Sequence, residues 1–351
     1  MLKSYDNKST NLYNVYNSLS FSDLSNLSAL LFEYYLTERL IDLGNESAST
    51  WSRLLPTYVI DASIFKIWLK KPDNEFFAKF FSGQTGKTEY GYKITLGGMT
   101  IGKTFYPITF YVTPKRFTDA EVAQVILQDM DRIVKKIGIV NNLKFGRFYL
   151  SCDSGYSNAD LNQYAESLNI IPICVPKKNH LIKFDDAKMN IQQFIENVFT
   201  PEEAKHKASE PDKPFYIRKR VYYNCQKRDV IILIFRLKDS NKVSVIYTTE
   251  LSIKAKTLRH HWFVRTLIEQ FFRFCKHTLQ FAISTYSSVD DFLKKTCLFF
   301  LKALFCSVVR DKVRRKKNMK NITFGTIRAL VSTRRIGEQW LQNLISLEEP
   351  F

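Results

Sequence analysis

The run "TYVIDASIFKIWL", residues 57–69, reads as a strand of Val, Ile, Ala and Phe that carries one acid, Asp61. A carboxylate in or at the edge of a buried strand loses its water, and it needs a paired charge or a bound cation in compensation. A second apolar run, "RFYLSC", is followed at once by Asp153 in "DSGYS". Taken alone, Asp153 before Ser-Gly also reads as an Asx-turn residue capping its own turn. Taken together, two aspartates in the C-terminal regions of strands of an α/β sheet stand where such sheets bind ligands.

The pattern around these strands supports that sheet. "GYKITLGGMTI" and "TFYPITFYVT" are β-rich, "DAEVAQVILQDMDRIVKKIG" is an amphipathic helix, and a strand, a Gly turn, a helix and the short strand "IPICVPK" follow. Three strands, then helix, strand, helix and strand, give an α/β order with a mixed sheet. The chain divides into a helical N-terminal region (1–55), a first core segment (56–176), a β-rich insertion (177–255), a second core segment (256–309) and a basic helical C-terminal tail (310–351). In the first region, Ser and Asn breaks across residues 20–55 suggest two or three short helices, either a DNA-binding module or a cover over the sheet. In the insertion, "PEEAKHKASEPDKP" (201–214) reads as a polar linker, and "FYIRKRVYYN", "RDVIILIFRLK" and "KVSVIYTTE" read as three antiparallel strands.

A third acid stands in "HHWFVRTLIEQFFRFCKHTLQF", residues 260–281. At about 100° per residue with Trp262 at zero, Arg265 falls near roughly 300°, Glu269 near 340°, Arg273 near 20° and Lys276 near 320°. One acid, three cations and an indole therefore share a face, and Phe and Leu side chains fill the other. As ordinary i,i+4 pairs these charges are worth only about 0.3–0.5 kcal/mol each. Read functionally, Glu269 completes a carboxylate set with Asp61 and Asp153, which suits Mg²⁺, a hard cation with oxygen ligands.

Charge and composition narrow the partners. A formal charge of +18 over 351 residues points to a polyanion, with nucleic acid ahead of an anionic membrane surface. No apolar run reaches the roughly 18 residues of a spanning helix, and "CLFFLKALFCSVV" is short and broken by Lys302. The N-terminus lacks the apolar stretch of a secretory signal, so a cytoplasmic location is expected. The six cysteines form no CxxC pair, and adjacent His260 and His261 make poor joint metal ligands.

Asp61 in "VIDAS", Asp153 in "CDSGYS" and the series Arg265, Glu269, Lys276 resemble, in order and spacing, the DDE transposases of bacterial insertion sequences, specifically the IS4-like group with its Y-x2-R-x3-E-x6-K signature. The likeness runs from about residue 55 to 300, with Trp262 at the Tyr position. The resemblance implies an RNase H-like catalytic core, a mixed sheet flanked by helices, with a β-rich insertion between the second Asp and the Glu helix. It implies Asp61, Asp153 and Glu269 as catalytic metal ligands for two Mg²⁺ ions, with Mn²⁺ able to substitute. Trp262, Arg265, Arg273 and Lys276 are then the DNA-binding set, and Lys93 and Lys115 are weaker candidates. The implied partners are double-stranded DNA, both the terminal inverted repeats of its element and a target, and a second copy in a homodimeric synaptic complex, with no membrane. The implied reaction is metal-dependent cleavage and strand transfer in cut-and-paste transposition, in a prokaryotic cytoplasm. Two alternatives keep part of this pattern: a catalytically silent DNA-binding descendant, and an RNase H-like metal-dependent nuclease.

Overall fold

A β-strand buried on both faces needs partners on both sides, and the apolar run around Asp61 has them. The computed structural model describes residues 18–44, 56–66, 75–82, 86–210, 214–236, 242–279 and 288–317. Strand β1 (Thr57–Lys66) lies between β3 (Lys87–Ile101), antiparallel to it, and β5 (Phe148–Cys152), parallel to it. Strand β4 (Thr104–Val112) pairs with β3, β6 (Ile170–Cys174) runs parallel to β5, and β2 (Phe77–Ser82) flanks β3. The order β4-β3-β1-β5-β6 with parallel β1, β5 and β6 is that of an RNase H-like core, as the resemblance implied. Pro107, which cannot donate to a ladder, sits opposite Gly98, where the β3–β4 register shifts.

The insertion does not stand apart from this sheet. Strands β7 (Leu181–Phe184), β8 (Ala187–Asn190), β9 (Tyr216–Tyr223), β10 (Arg228–Arg236) and β11 (Val243–Thr248) continue it, because β11 pairs antiparallel with β6. Among the described residues the result is one 11-stranded sheet ordered β2-β3-β1-β5-β6-β11-β10-β9-β7-β8, with β4 joined to β3.

Of the region 20–55, where two or three short helices are expected, residues 45–55 lie outside the described residues and 21–44 form the single helix α1 (Phe21–Gly44). Its Ser28 does not break it, because Oγ donates to the Leu24 carbonyl one turn back at 2.8 Å. Helix α2 (Asp119–Val140) starts at a capping box between Thr118 and Glu121 and buries Val122, Ile126, Leu127, Met130 and Val134. Helix α3 (Ala159–Ser167) joins β5 to β6. Helix α4 (Ile191–Phe194) runs through a π turn (Ile195–Phe199) into α5 (Thr200–Ser209). Most of the expected linker at 201–214 is thus helical. Pro201 occupies the first turn, where its missing N–H costs nothing, and Glu203 is clamped by Arg236 at 2.8 Å and Lys207 at 3.3 Å. Residues 211–213 lie outside the described residues. Helices α6 (Ala255–Val264) and α7 (Thr266–Arg273) come next, then a π turn (Phe274–Thr278) and α8 (Val289–Lys317).

The chain divides into two compact units, residues 36–270 and residues 1–35 with 271–351. The first contains the whole sheet. In the second, Phe271 and Phe272 pack against Phe300 with ring centroids 5.9 and 6.5 Å apart. Of the expected C-terminal tail, residues 310–317 belong to α8, and 318–351 lie outside the described residues. No helix among the described residues is long and apolar enough to cross a membrane.

Helix α2 crosses β3 where that strand has no side chain. A Cβ on Gly97 would run into Ile126 Cγ2 and lie 2.9 Å from Met130 Sδ. Gly97→Ala should therefore destabilise the fold by roughly 1–3 kcal/mol, the usual cost of overpacking. Ile126→Ala in the same chain should return part of the loss, and paired thermal melts check this. A Gly97→Ala protein that melts with the wild type would contradict the close approach.

Candidate active site

The strand register brings the two aspartates together. Thr57 to Ile60 of β1 pair in parallel with Tyr149 to Cys152 of β5, and one residue further along the same register Asp61 stands beside Asp153. Neighbours at equivalent positions on parallel strands project to the same face. Each carboxylate also binds the amide that follows it: Asp61 Oδ1 accepts from Ala62 N–H at 2.9 Å, and Asp153 Oδ1 from Ser154 N–H at 2.7 Å. Asp153 thereby caps the short 3₁₀ turn Ser154–Tyr156, so its turn role and its place beside Asp61 coexist.

The electrostatics of Asp61 report what surrounds it. Asp61 is half-buried, and the burial of its carboxylate is the main cause that pushes its pKa up to about 7. Arg265 and the Ala62 amide oppose that rise, while the negative charges of Asp153 and Glu269 add to it. The Tyr156 hydroxyl, buried and without a hydrogen-bond partner among the described residues, is raised well above its usual range, first by burial and then by Asp61, Asp119 and Asp153. Asp153 and Glu269 thus both stand near enough to act on Asp61. As they stand, however, no three His, Cys, Asp or Glu side chains among the described residues converge closely enough to hold a metal ion. Glu269 is instead engaged by Arg265, whose guanidinium reaches Oε1 at 2.7 Å.

Helix α6, which leads into the helix carrying this third acid, is anchored by a histidine. His261 is fully buried, its Nδ1 2.7 Å from Thr57 Oγ1 on β1 and its ring stacked on Tyr149 of β5 at 3.7 Å between centroids. Burial, with a smaller push from His260, lowers its pKa to about 3, so it is a neutral strut at physiological pH. Trp262 packs against the apolar cluster of Ile173, Ile231, Leu233, Phe235, Ile246, Ile253 and Leu258. The guanidinium carbon of Arg265 lies 4.4 Å from the centre of the Trp262 ring.

The helix expected across residues 262–276 is interrupted twice. The α6 helix ends at Val264, Arg265 forms the joint, and the Ile268 amide bonds the Arg265 carbonyl in a tightened turn. After Arg273 a π turn widens the helix, so an increment of about 100° per residue overstates the angle reached by Lys276. Arg273 is exposed and Lys276 half-buried within that turn. Lys115 is exposed, and Lys93 forms an ion pair with Asp119 at the start of α2.

Three contributors had no signal in the sequence. The Tyr247 hydroxyl gathers Ser157 Oγ at 3.1 Å, Asn162 Nδ2 at 3.0 Å and Gln226 Nε2 at 3.2 Å, tying the segment after Asp153 to the inserted strands. Asp119 with Lys93, and the His261 strut, likewise depend on partners far apart in the chain.

A family model described as "Transposase DDE domain" matches residues 54–301. No curated protein matches the chain. Among solved structures, it is similar at 11% identity and TM-score 0.46 to a piggyBac transposase synaptic complex with hairpin DNA, the match covering 84% of this chain and 57% of that one. It is similar at 8% identity and TM-score 0.22 to a Drosophila P element transposase strand transfer complex, covering 94% of this chain and 87% of that one. The chain thus spans little more than half the length of the piggyBac chain, and both structural likenesses are distant.

An acid whose folded pKa lies above its unfolded value stabilises the fold below the unfolded pKa, and that contribution is lost as pH rises through the folded pKa. For Asp61 the loss runs from the ordinary aspartate value of about 4 up to about 7, where it is complete. In chelator, the wild-type melting temperature should fall between about pH 4 and pH 7 from this source, and Asp61→Asn should flatten the decline. The variant should exceed the wild type at about pH 8 by roughly 1–4 kcal/mol, from about 1.4 kcal/mol per pKa unit discounted for partial solvent access. Parallel curves for the two proteins would contradict the crowded carboxylate.

Proposed function

The chain belongs to the transposase DDE domain family, and on that premise we propose that it is a DNA transposase that cleaves and joins strands at the ends of its own element, with Asp61, Asp153 and Glu269 as its catalytic acids. The observation that carries this reading is the parallel register that sets Asp61 beside Asp153 at the ends of adjacent strands, with the charge of Glu269 felt at Asp61. Three acids so placed are costly to a fold unless a cation balances them.

The donor set fits a hard divalent cation: all three groups offer carboxylate oxygens, and the burial that raises the pKa of Asp61, with the smaller effect of the neighbouring acids, is offset by added positive charge. Asp61, Asp153 and Glu269 would hold it, with Mg²⁺ as the ion, two per site, and Mn²⁺ in substitution. When bound, such ions supply Lewis acidity to the scissile phosphodiester and lower the pKa of the attacking hydroxyl or water. The protein's own part is to orient. The β1–β5 pairing fixes the two aspartates, the Tyr247 network steadies the segment behind Asp153, and His261 fixes the helix pair that brings Glu269.

Arg265, Arg273 and Lys276 supply phosphate contacts in this reading, and Trp262 lies near the substrate strand. The surplus of 52 Lys and Arg over 34 Asp and Glu supports a polyanionic substrate. The finer assignment is to the IS4-like group, supported by the Arg265, Glu269, Lys276 spacing. It brings double-stranded terminal inverted repeats, a target duplex and a homodimeric synapse as partners, with a cytoplasmic site of action.

Two measurements test the proposal. With DNA carrying the element ends, Mg²⁺-dependent cleavage should fall at least about a thousandfold in Asp61→Ala, Asp153→Ala and Glu269→Ala, beyond the loss usual for one electrostatic group, while binding stays near wild type. A wild-type protein that binds but never cuts in Mg²⁺ or Mn²⁺ contradicts the enzyme. Cutting with no dependence on the ends, and no joined product, makes it a nuclease. Separately, Arg273→Ala and Lys276→Ala should each lower the slope of log affinity against log salt by about one, and an unchanged slope removes that residue from the DNA path.

A further inference from the structure

We propose that Arg265 is an internal counter-cation of the acid cluster: shelved on the Trp262 indole, its guanidinium holds Glu269 until a divalent cation takes its place. This rests on the reading of Asp61, Asp153 and Glu269 as the acids that hold that cation.

The first support is burial. An arginine that serves a phosphate backbone alone keeps its head in water, but the Arg265 side chain is only 10% exposed in the chain by itself. Its guanidinium has an aromatic face at 4.4 Å and a carboxylate oxygen at 2.7 Å. The second is position. Arg265 occupies the joint between α6 and α7, and its guanidinium bridges a side chain of each helix, Trp262 on α6 and Glu269 on α7, which an ion pair within one surface helix does not do.

The third support is that the seat is imperfect. Arg265 Nε is buried without a hydrogen-bond partner among the described residues, a cost a permanent structural arginine would have shed. The i,i+4 order, with the cation N-terminal to the acid, is also the weaker orientation on a helix. A group held by one ion pair and one ring, with a donor unsatisfied, is poised to be displaced. The same geometry gives Trp262 a reason. An indole is the strongest aromatic partner for a cation, so Trp in place of Tyr exchanges a hydroxyl for a better shelf.

The consequence is competition: an incoming divalent cation meets a resident positive charge among the acids, and Glu269 becomes available to it only on leaving Arg265. Arg265→Gln keeps most of the volume and removes the charge. In the full chain without DNA, Mn²⁺ titration followed by the paramagnetic resonance of free Mn²⁺ should show Arg265→Gln binding about tenfold tighter or more, since like charges a few ångströms apart in a protein interior repel strongly. Arg265→Lys, which retains the charge, should stay nearer the wild type. Trp262→Leu, which removes the shelf and leaves Arg265 in the chain, should gain affinity to an intermediate degree and serves where the glutamine variant folds poorly. Asp61→Asn sets the background. In chelator, Arg265→Gln should melt below the wild type at about pH 8 and recover on adding Mn²⁺.

Mn²⁺ affinity that is unchanged or weaker in both Arg265→Gln and Trp262→Leu, with the wild type binding, overturns the counter-cation role and leaves the metal reading in place. Failure of every protein to bind Mn²⁺ above the Asp61→Asn background overturns the metal reading, and this inference with it.

Discussion

Parallel pairing of β1 with β5 forces two carboxylates into the same neighbourhood, and much of the surrounding structure can be understood as a response to that constraint. Neighbouring parallel strands lie about 4.8 Å apart, so Asp61 and Asp153, one step past the last registered pair, repel each other while losing solvent. Two following amides and a guanidinium offset part of that cost. Because the pairing also fixes the faces of the strands, a one-residue slip would send one acid into the opposite layer. The close passage of α2 over Gly97 and the central place of β1 both resist such a slip.

The third acid reaches this place by a different route. It comes from a helix pair more than a hundred residues later in the chain, seated by packing and by one neutral histidine. His261 spans β1 and β5 together, so the element that carries Glu269 is located by the same two strands that carry the aspartates. The inserted strands β7–β11 extend the core sheet from β6, and Tyr247 links them to the segment behind Asp153. An insertion that continues the catalytic sheet can hold the site's backbone rigidly, which a tethered separate module could not.

How much of this could be read in the sequence follows from how local each feature is. Asp61 and Asp153 stood out because an acid in an apolar strand has few innocent explanations; the strand and helix order around them carried the mixed α/β sheet, and the family resemblance carried the RNase H-like architecture. The helical wheel placed Arg265 with Glu269 correctly, one turn apart, but it assumed an unbroken α-helix. The joint at Arg265 and the π turn after Arg273 depend on packing and hydrogen bonds that no periodicity encodes. Pro201 looked like a breaker and is a first-turn proline, and Ser28 looked like a stop and bonds its own helix. Tyr247, His261 and the Lys93–Asp119 pair were illegible because their partners are distant in the chain. Trp262 changes meaning most: an apparent departure from a motif becomes the shelf under a buried cation.

The central claim is that Asp61 sits desolvated among like charges that a divalent cation relieves, and its own titration reports this most directly. In protein labelled with ¹³C at aspartate carboxyls, the Asp61 resonance, assigned by Asp61→Asn, should titrate near pH 7 in chelator. In saturating Mg²⁺ its midpoint should move down by about a unit or more, since an opposite charge at short range favours the ionised form. A midpoint near the ordinary aspartate value of about 4 in chelator, insensitive to Mg²⁺, would contradict the account.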